Sequence, residues 1–174
     1  MKINAIVGIV LVSFFMSGCV RYQPSIPDNY TGAIAKIQDS FLAQSKTKID
    51  FYYVSKVNGN KIYNSRFQTL DKNYGRGFSM EPVVLNHDIP AGEPCTITIV
   101  ARTQYAAPIL ALMNPVYEIK GDIVFTPMAN QEYLVKGRLD DNASFVWIQN
   151  IDTKELVGEK IKIEGSSALG HFEK

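Results

Sequence analysis

The sequence predicts an all-β fold: a single antiparallel β-sandwich of about eight strands occupying residues 31–165. Three observations carry this. Apolar and polar residues alternate in segment after segment, as side chains on a half-buried strand must. Turn residues recur between those segments at short spacing. No segment carries a sustained helical period.

Taken in order, "GAIAKIQDSFLAQ" fits a short helix through Ile34, Ile37 and Phe41, and equally a strand followed by a loop; a strand at Ala33–Gln38 is expected. In "KIDFYYVSKV", Ile49, Phe51 and Tyr53 share one face and Lys48, Asp50 and Tyr52 the other, which predicts a half-buried strand. Asn58-Gly59 is a hairpin signal, because both residues tolerate the positive φ of a type I′ turn. The return strand is expected near Lys61–Leu70. "DKNYGRGFSM" is read as a loop, and "EPVVLNHDIPAGEPC" as a short strand and a turn.

"CTITIVART" points Cys95, Ile97, Ile99 and Ala101 one way. "YEIKGDIVFT" repeats the pattern with Ile119, Ile123 and Phe125 inward. "EYLVKGRL" follows with Tyr133, Val135 and Leu139, "DDNA" turns into "SFVWIQN", and a last strand is expected near Lys160–Ile163. Between residues 80 and 160, "PAGE" before a Thr/Ile strand, "F-x-P" before "EYLVKG" and "VWIQN" before a turn resemble small transthyretin-like or carboxypeptidase-regulatory-like sandwiches of bacterial envelope lipoproteins. That resemblance implies a sandwich.

The amino terminus states an address. Residues 1–18, "MKINAIVGIVLVSFFMSG", place one lysine before an apolar run shorter than the ~20 residues of a membrane span. These are the proportions of a secretory signal peptide. "MSGC" resembles the lipobox of bacterial lipoproteins, with Met16 standing where Leu is usual. The resemblance implies cleavage before Cys19 and lipidation of Cys19 with diacylglyceryl and acyl chains. Several chains anchor stably where one binds marginally. Val20, rather than Asp, follows Cys19, which in this family implies export to the outer membrane, facing the periplasm. Residues 19–30, with Pro24 and Pro27, read as an extended tether, and 166–174 as a polar tail.

The charge balance excludes some partners. The whole chain carries 18 basic and 17 acidic side chains, and Lys2 is the one charge in residues 1–18. A mature chain near neutrality argues against nucleic acid, which requires a clustered basic footprint, and against a polybasic membrane patch. With Cys19 lipidated, Cys95 is alone and an internal disulfide is excluded.

Chemistry is sparse. His87 stands beside Asp88 ahead of a turn, and His171 lies in the tail. "EGSSALG" lacks the G-x-S-x-G order, so no triad is expected and His87 is read as an exposed turn residue. Asp140, Asp141 and Asn142 are read as turn residues rather than a calcium loop. Cys95 is expected to be buried and unreactive, and Trp147, sharing a face with Phe145, to lie in the core. No cofactor or metal is expected.

Two loops are the candidate surfaces. "NYGRG" offers Tyr74 and Arg76, the latter able to pair with a carboxylate. "QYAAPILALMNPV" includes Tyr105, Leu110 and Met113. The latter is read as a segment crossing over the core; exposed, it would be an apolar patch for a partner or membrane. The expected role is non-catalytic: a lipid-anchored envelope protein presenting loops to a periplasmic protein partner. The alternative is a small-ligand or envelope-glycan-binding lipoprotein.

Overall fold

The computed structural model describes residues 21–174, so the signal segment and Cys19 lie outside the described residues. Ten strands and two helices follow in the order β1 (Ile34–Gln38), β2 (Ser40–Ala43), β3 (Lys48–Val57), β4 (Asn60–Lys61), α1 (Ser65–Lys72), β5 (Asn86–Pro90), β6 (Cys95–Tyr105), α2 (Pro108–Met113), β7 (Glu118–Phe125), β8 (Glu132–Arg138), β9 (Ala143–Asn150) and β10 (Leu156–Glu164). Among the described residues no helix is long and apolar enough to cross a membrane.

The expected all-β, antiparallel sandwich of about eight strands is corrected. The fold is mixed α/β, with two separate five-stranded sheets and two short helices. Sheet one runs β10-β9-β8-β1-β5, and its central β1–β8 pair is parallel. Sheet two runs β2-β3-β6-β7, with β4 added to β3. The chain leaves sheet one at Gln38 and enters sheet two at Ser40, so Asp39 alone is the crossing.

The two sheets share one apolar core. Ile37, Val135, Val146 and Ile148 come from sheet one, and Val54, Ile97, Ile99 and Ile119 from sheet two. Fully burying one such side chain contributes about 1.5–3 kcal/mol. The alternation read in β6, β7 and β8 is the inward face of this core. At one side β10 leans over β7, with Ile161 seated on Gly121.

β3 departs from its half-buried expectation, because both its faces are covered. Tyr52 and Val54 enter the shared core, while Ile49, Phe51 and Tyr53 form a second cluster with Val100 and Met80 on the outer side of sheet two. The hairpin forms as its sequence demands, with Asn58 at φ 49° and Gly59 at φ 84°. The return strand near 61–70 is corrected: it lasts only two residues before α1 begins. Asn64 caps that helix, its Oδ1 accepting from Phe67 N at 3.3 Å. Arg66, Gln68, Leu70 and Lys72 are unbranched at Cβ and favour the helix.

α1 adheres through hydroxyls as well as apolar contact. Ser65 Oγ accepts from Leu85 N at 2.7 Å, and Thr69 Oγ1 from Val83 N at 2.9 Å. Those two bonds satisfy the backbone of the extended stretch before β5. The segment after β10 also returns: Leu169 N donates to Val116 O, and Ser167 is buried against Ser144 at 2.6 Å.

Candidate functional site

The fold brings the two candidate loops to one end of sheet two. Met80 N donates to Lys46 O at 2.9 Å, and Ala106 N donates to Thr47 O at 3.0 Å. The β2–β3 turn thus holds the end of the 73–80 loop and the start of the 106–116 segment side by side. Leu70 of α1 and Ala111 and Leu112 of α2 then face a common groove of about 350 Å³.

This end is apolar and exposed. Tyr74 is 92% exposed and Met113 76%, and Phe78, Ile109 and Leu112 also stand open to solvent. The expectation that 104–116 crosses the core is corrected. Its middle is the helix α2, opened by Pro108 at its first turn, with no buried residue of its own and carried on the surface beside α1. Leu110 is half-buried. Tyr105 differs from the rest of the set: it is buried, and its hydroxyl donates to Pro115 O at 3.0 Å, pinning the far end of the segment. Burial, then the charge of Asp50, push its pKa up.

Arg76 is occupied. Its Nη1 lies 3.0 Å from Glu81 Oε2 and 3.2 Å from Asn73 Oδ1. The hydrogen bond and charge of Arg76, then the charge of Lys72, hold the carboxyl of Glu81 below its ordinary value. A ligand carboxylate at Arg76 would have to displace Glu81.

A second concavity lies on the outer face of sheet two, at the other end of α1. This cleft of about 380 Å³ has Val100, Ile62 and Tyr53 as its floor, Tyr22 and Phe67 as aromatic walls, and Asn64 at the helix start. Tyr22 reaches it from the tether, its ring centroid 5.4 Å from those of Tyr63 and Phe67. Gln23 N donates to Lys61 O at 2.8 Å, so the tether meets the domain here. Lys56, Lys61 and Lys120 rim the opening. Glu118, the one acid lining it, is paired with Arg102.

His87 is not an exposed turn residue. Along β5 His87 and Ile89 turn inward while Asn86 and Asp88 turn out, so His87 and Asp88 point apart and form no dyad. His87 instead meets Asp39, with Nε2 3.1 Å from Oδ2. Neither residue lines one of the clefts above. This buried pair escaped the sequence because its members are 48 residues apart and Asp39 sits between two strands. The only signal was an acid interrupting an otherwise strand-like run.

The remaining candidates have structural partners. Asp140 Oδ1 accepts from Asn142 N and Ala143 N, each at 2.9 Å, and Oδ2 from Arg138 Nε at 2.7 Å. These bonds lower the carboxyl's pKa, those from the two backbone amides first. Asp141 accepts from the Tyr117 hydroxyl. Among the described residues no three His, Cys, Asp or Glu side chains gather as metal ligands. Cys95 is buried in the core, and burial raises its thiol pKa. Trp147, expected in the core, is corrected to the outer face of β9, where Lys160 Nζ lies 4.4 Å from its ring.

No protein-family model matches this chain, no curated protein matches it, and no solved structure matches its fold.

Proposed function

We propose that this chain is a lipid-anchored protein of a bacterial cell envelope, whose domain binds a periplasmic protein partner without catalysing a reaction. In this reading Cys19 carries the acyl chains, and the outer membrane is its site. The observation that carries the reading is the exposed apolar end of sheet two. Tyr74, Phe78, Ile109, Leu112 and Met113 come from two segments held on one turn. Apolar side chains concentrated at one end of a domain favour burial against another protein, and aromatic and Met side chains are enriched in such interfaces. The groove between Leu70 and Leu112 is shaped for an apolar side chain, with Arg66 beside it for an acidic neighbour.

The test is photo-cross-linking in cells from a reactive amino acid placed at Tyr74 or at Met113, with Glu159 on β10 as control site. One protein captured from both positions, and not from the control, is the expected result. Equal capture from all three sites removes the basis of the reading. In parallel, the parent protein is expected to incorporate labelled palmitate and Cys19→Ala to incorporate none. A parent protein that takes up no label would refute the lipid anchor.

A further inference from the structure

The cleft between Tyr22, α1 and sheet two contains an arrangement that the free protein does not explain. Lys56 and Lys61 are directly opposite each other in the β3–β4 register. Like charges so placed repel and destabilise a strand pair. Lys120 joins them around the same opening. None of the three lysines is in an ion pair among the described residues. Glu118, which would neutralise one of them, is held by Arg102.

A second, independent feature lies deeper. Asn64 lines this cleft, is 1% exposed, and its Nδ2 has no hydrogen-bond partner among the described residues. The orientation of the amide is set by the cap, since Oδ1 must accept from Phe67 N. An orphaned donor of this kind costs about 1–3 kcal/mol unless something accepts from it. Asn64 also marks the start of α1, where the helix dipole favours negative charge.

We infer that this cleft is a binding site for a small acidic ligand built on a ring, such as a carboxylated or phosphorylated sugar unit. The acidic group sits among Lys56, Lys61 and Lys120, and relieves their mutual repulsion. An oxygen of the ligand accepts from Asn64 Nδ2. The ring packs against the touching Tyr22 and Phe67 rings, over the apolar floor of Val100 and Ile62. The volume of about 380 Å³ falls at the small end of the range for small-molecule pockets, about 300–1,000 Å³. The cleft lies apart from the apolar end assigned to a protein partner, so either assignment can fail alone.

The test is calorimetric titration of the full chain in detergent micelles with glucuronate, glucose 6-phosphate and, as neutral control, glucose. Saturable binding of at least one acidic sugar at millimolar concentration, with glucose not binding, is expected. The preferred acid then identifies carboxylate or phosphate as the recognised group. Lys61→Gln and Lys120→Gln are each expected to weaken binding severalfold and to flatten its dependence on salt. Asn64→Asp keeps the capping oxygen and removes the donor, and is expected to weaken binding about tenfold. Melting curves show which variants are folded; should Asn64→Asp not fold, the two exposed lysines decide. No saturable binding of either acid, equal binding of glucose, or lysine variants that bind as the parent does would overturn the assignment.

Discussion

His87 lies against Asp39 inside the protein, Nε2 to Oδ2 at 3.1 Å, with the carboxylate wholly shielded from water. The imidazole is within ion-pair reach but is not aligned for a hydrogen bond. The carboxylate's hydrogen bonds go elsewhere: Oδ1 accepts from Val54 N at 2.9 Å and Oδ2 from Ser65 N at 2.8 Å. β2 begins at Ser40, opposite Tyr52, so Val54 lies beyond the edge of its neighbouring strand. Asp39 replaces the missing ladder acceptor and joins both sheets to the start of α1.

Asp39→Ala is therefore expected to destabilise the protein by about 3 kcal/mol or more, because two buried amides each lose a charged acceptor. His87→Ala leaves both amides satisfied and is expected to cost less, about 1–2 kcal/mol. Urea unfolding of the two variants checks the order. A larger loss for His87→Ala would contradict this account of the crossing.

Two glycines distinguish backbone from side-chain crowding. A Cβ at Gly137 would lie 2.5 Å from Tyr52 Cδ1 and 2.9 Å from the carbonyl oxygen of Phe145, whereas at Gly121 the nearest atoms all belong to the Ile161 side chain, its Cδ1 2.6 Å away. A backbone oxygen in a ladder moves less readily than the end of an isoleucine. Gly137→Ala is expected to cost about 1–3 kcal/mol, and Gly121→Ala less. Thermal unfolding of the pair decides it, and equal losses would show that the β10 edge is as rigid as the sheet.

Tyrosine ionisation should be split. Hydrogen bonds to Asp71 and Asp141 push Tyr63 and Tyr117 up to about 12, and burial does the same for Tyr53. A phenolate beside a carboxylate is unfavourable, so the folded state holds these protons longer. Their contribution to stability is full below the ordinary tyrosine value of about 10 and is lost as pH rises towards 12. Tyrosinate absorbance against pH is expected to show an early group and a late one, with Tyr63→Phe and Tyr117→Phe each diminishing the late group. A single step near 10 would count against both contacts.

Trp147 is the only tryptophan, so its fluorescence reports one environment. Half-buried on the outer face under Lys160, it is expected to be open to acrylamide and to change emission in Lys160→Ala. Blue, unquenchable emission would return it to the core.

Much of the strand pattern was legible because period-two alternation is local. Cys95 to Ala101 and Tyr133 to Val135 point inward as their spacing requires. The Asn58-Gly59 turn was legible for the same reason, since positive φ is a property of the two residues themselves. α1 was not. In "NSRFQTLDK" the residues packed under the helix include Ser65 and Thr69, so no apolar stripe marks its face. β3 misled in the opposite sense. Its strongest apolar face serves the smaller cluster beneath Met80, and a tyrosine on the "polar" face enters the shared core. The residues of the cleft were likewise invisible as a group. Tyr22, Lys56, Asn64 and Lys120 carry no common spacing, and only pairing of β3 with β4 and β6 with β7 sets them around one opening.

The sequence by itself determined the segments that alternate, the turn that closes β3 on β4, the near-neutral charge of the chain and the resemblance of its first residues to a lipobox. Each depends on neighbours a few bonds apart. Tertiary structure alone decided that the chain forms two sheets joined at one buried acid, that 65–72 and 108–113 are helices, and that the two candidate loops adjoin. The reason is that sheet membership and face depend on which distant strand completes the ladder. A residue's own sequence neighbours do not carry that information.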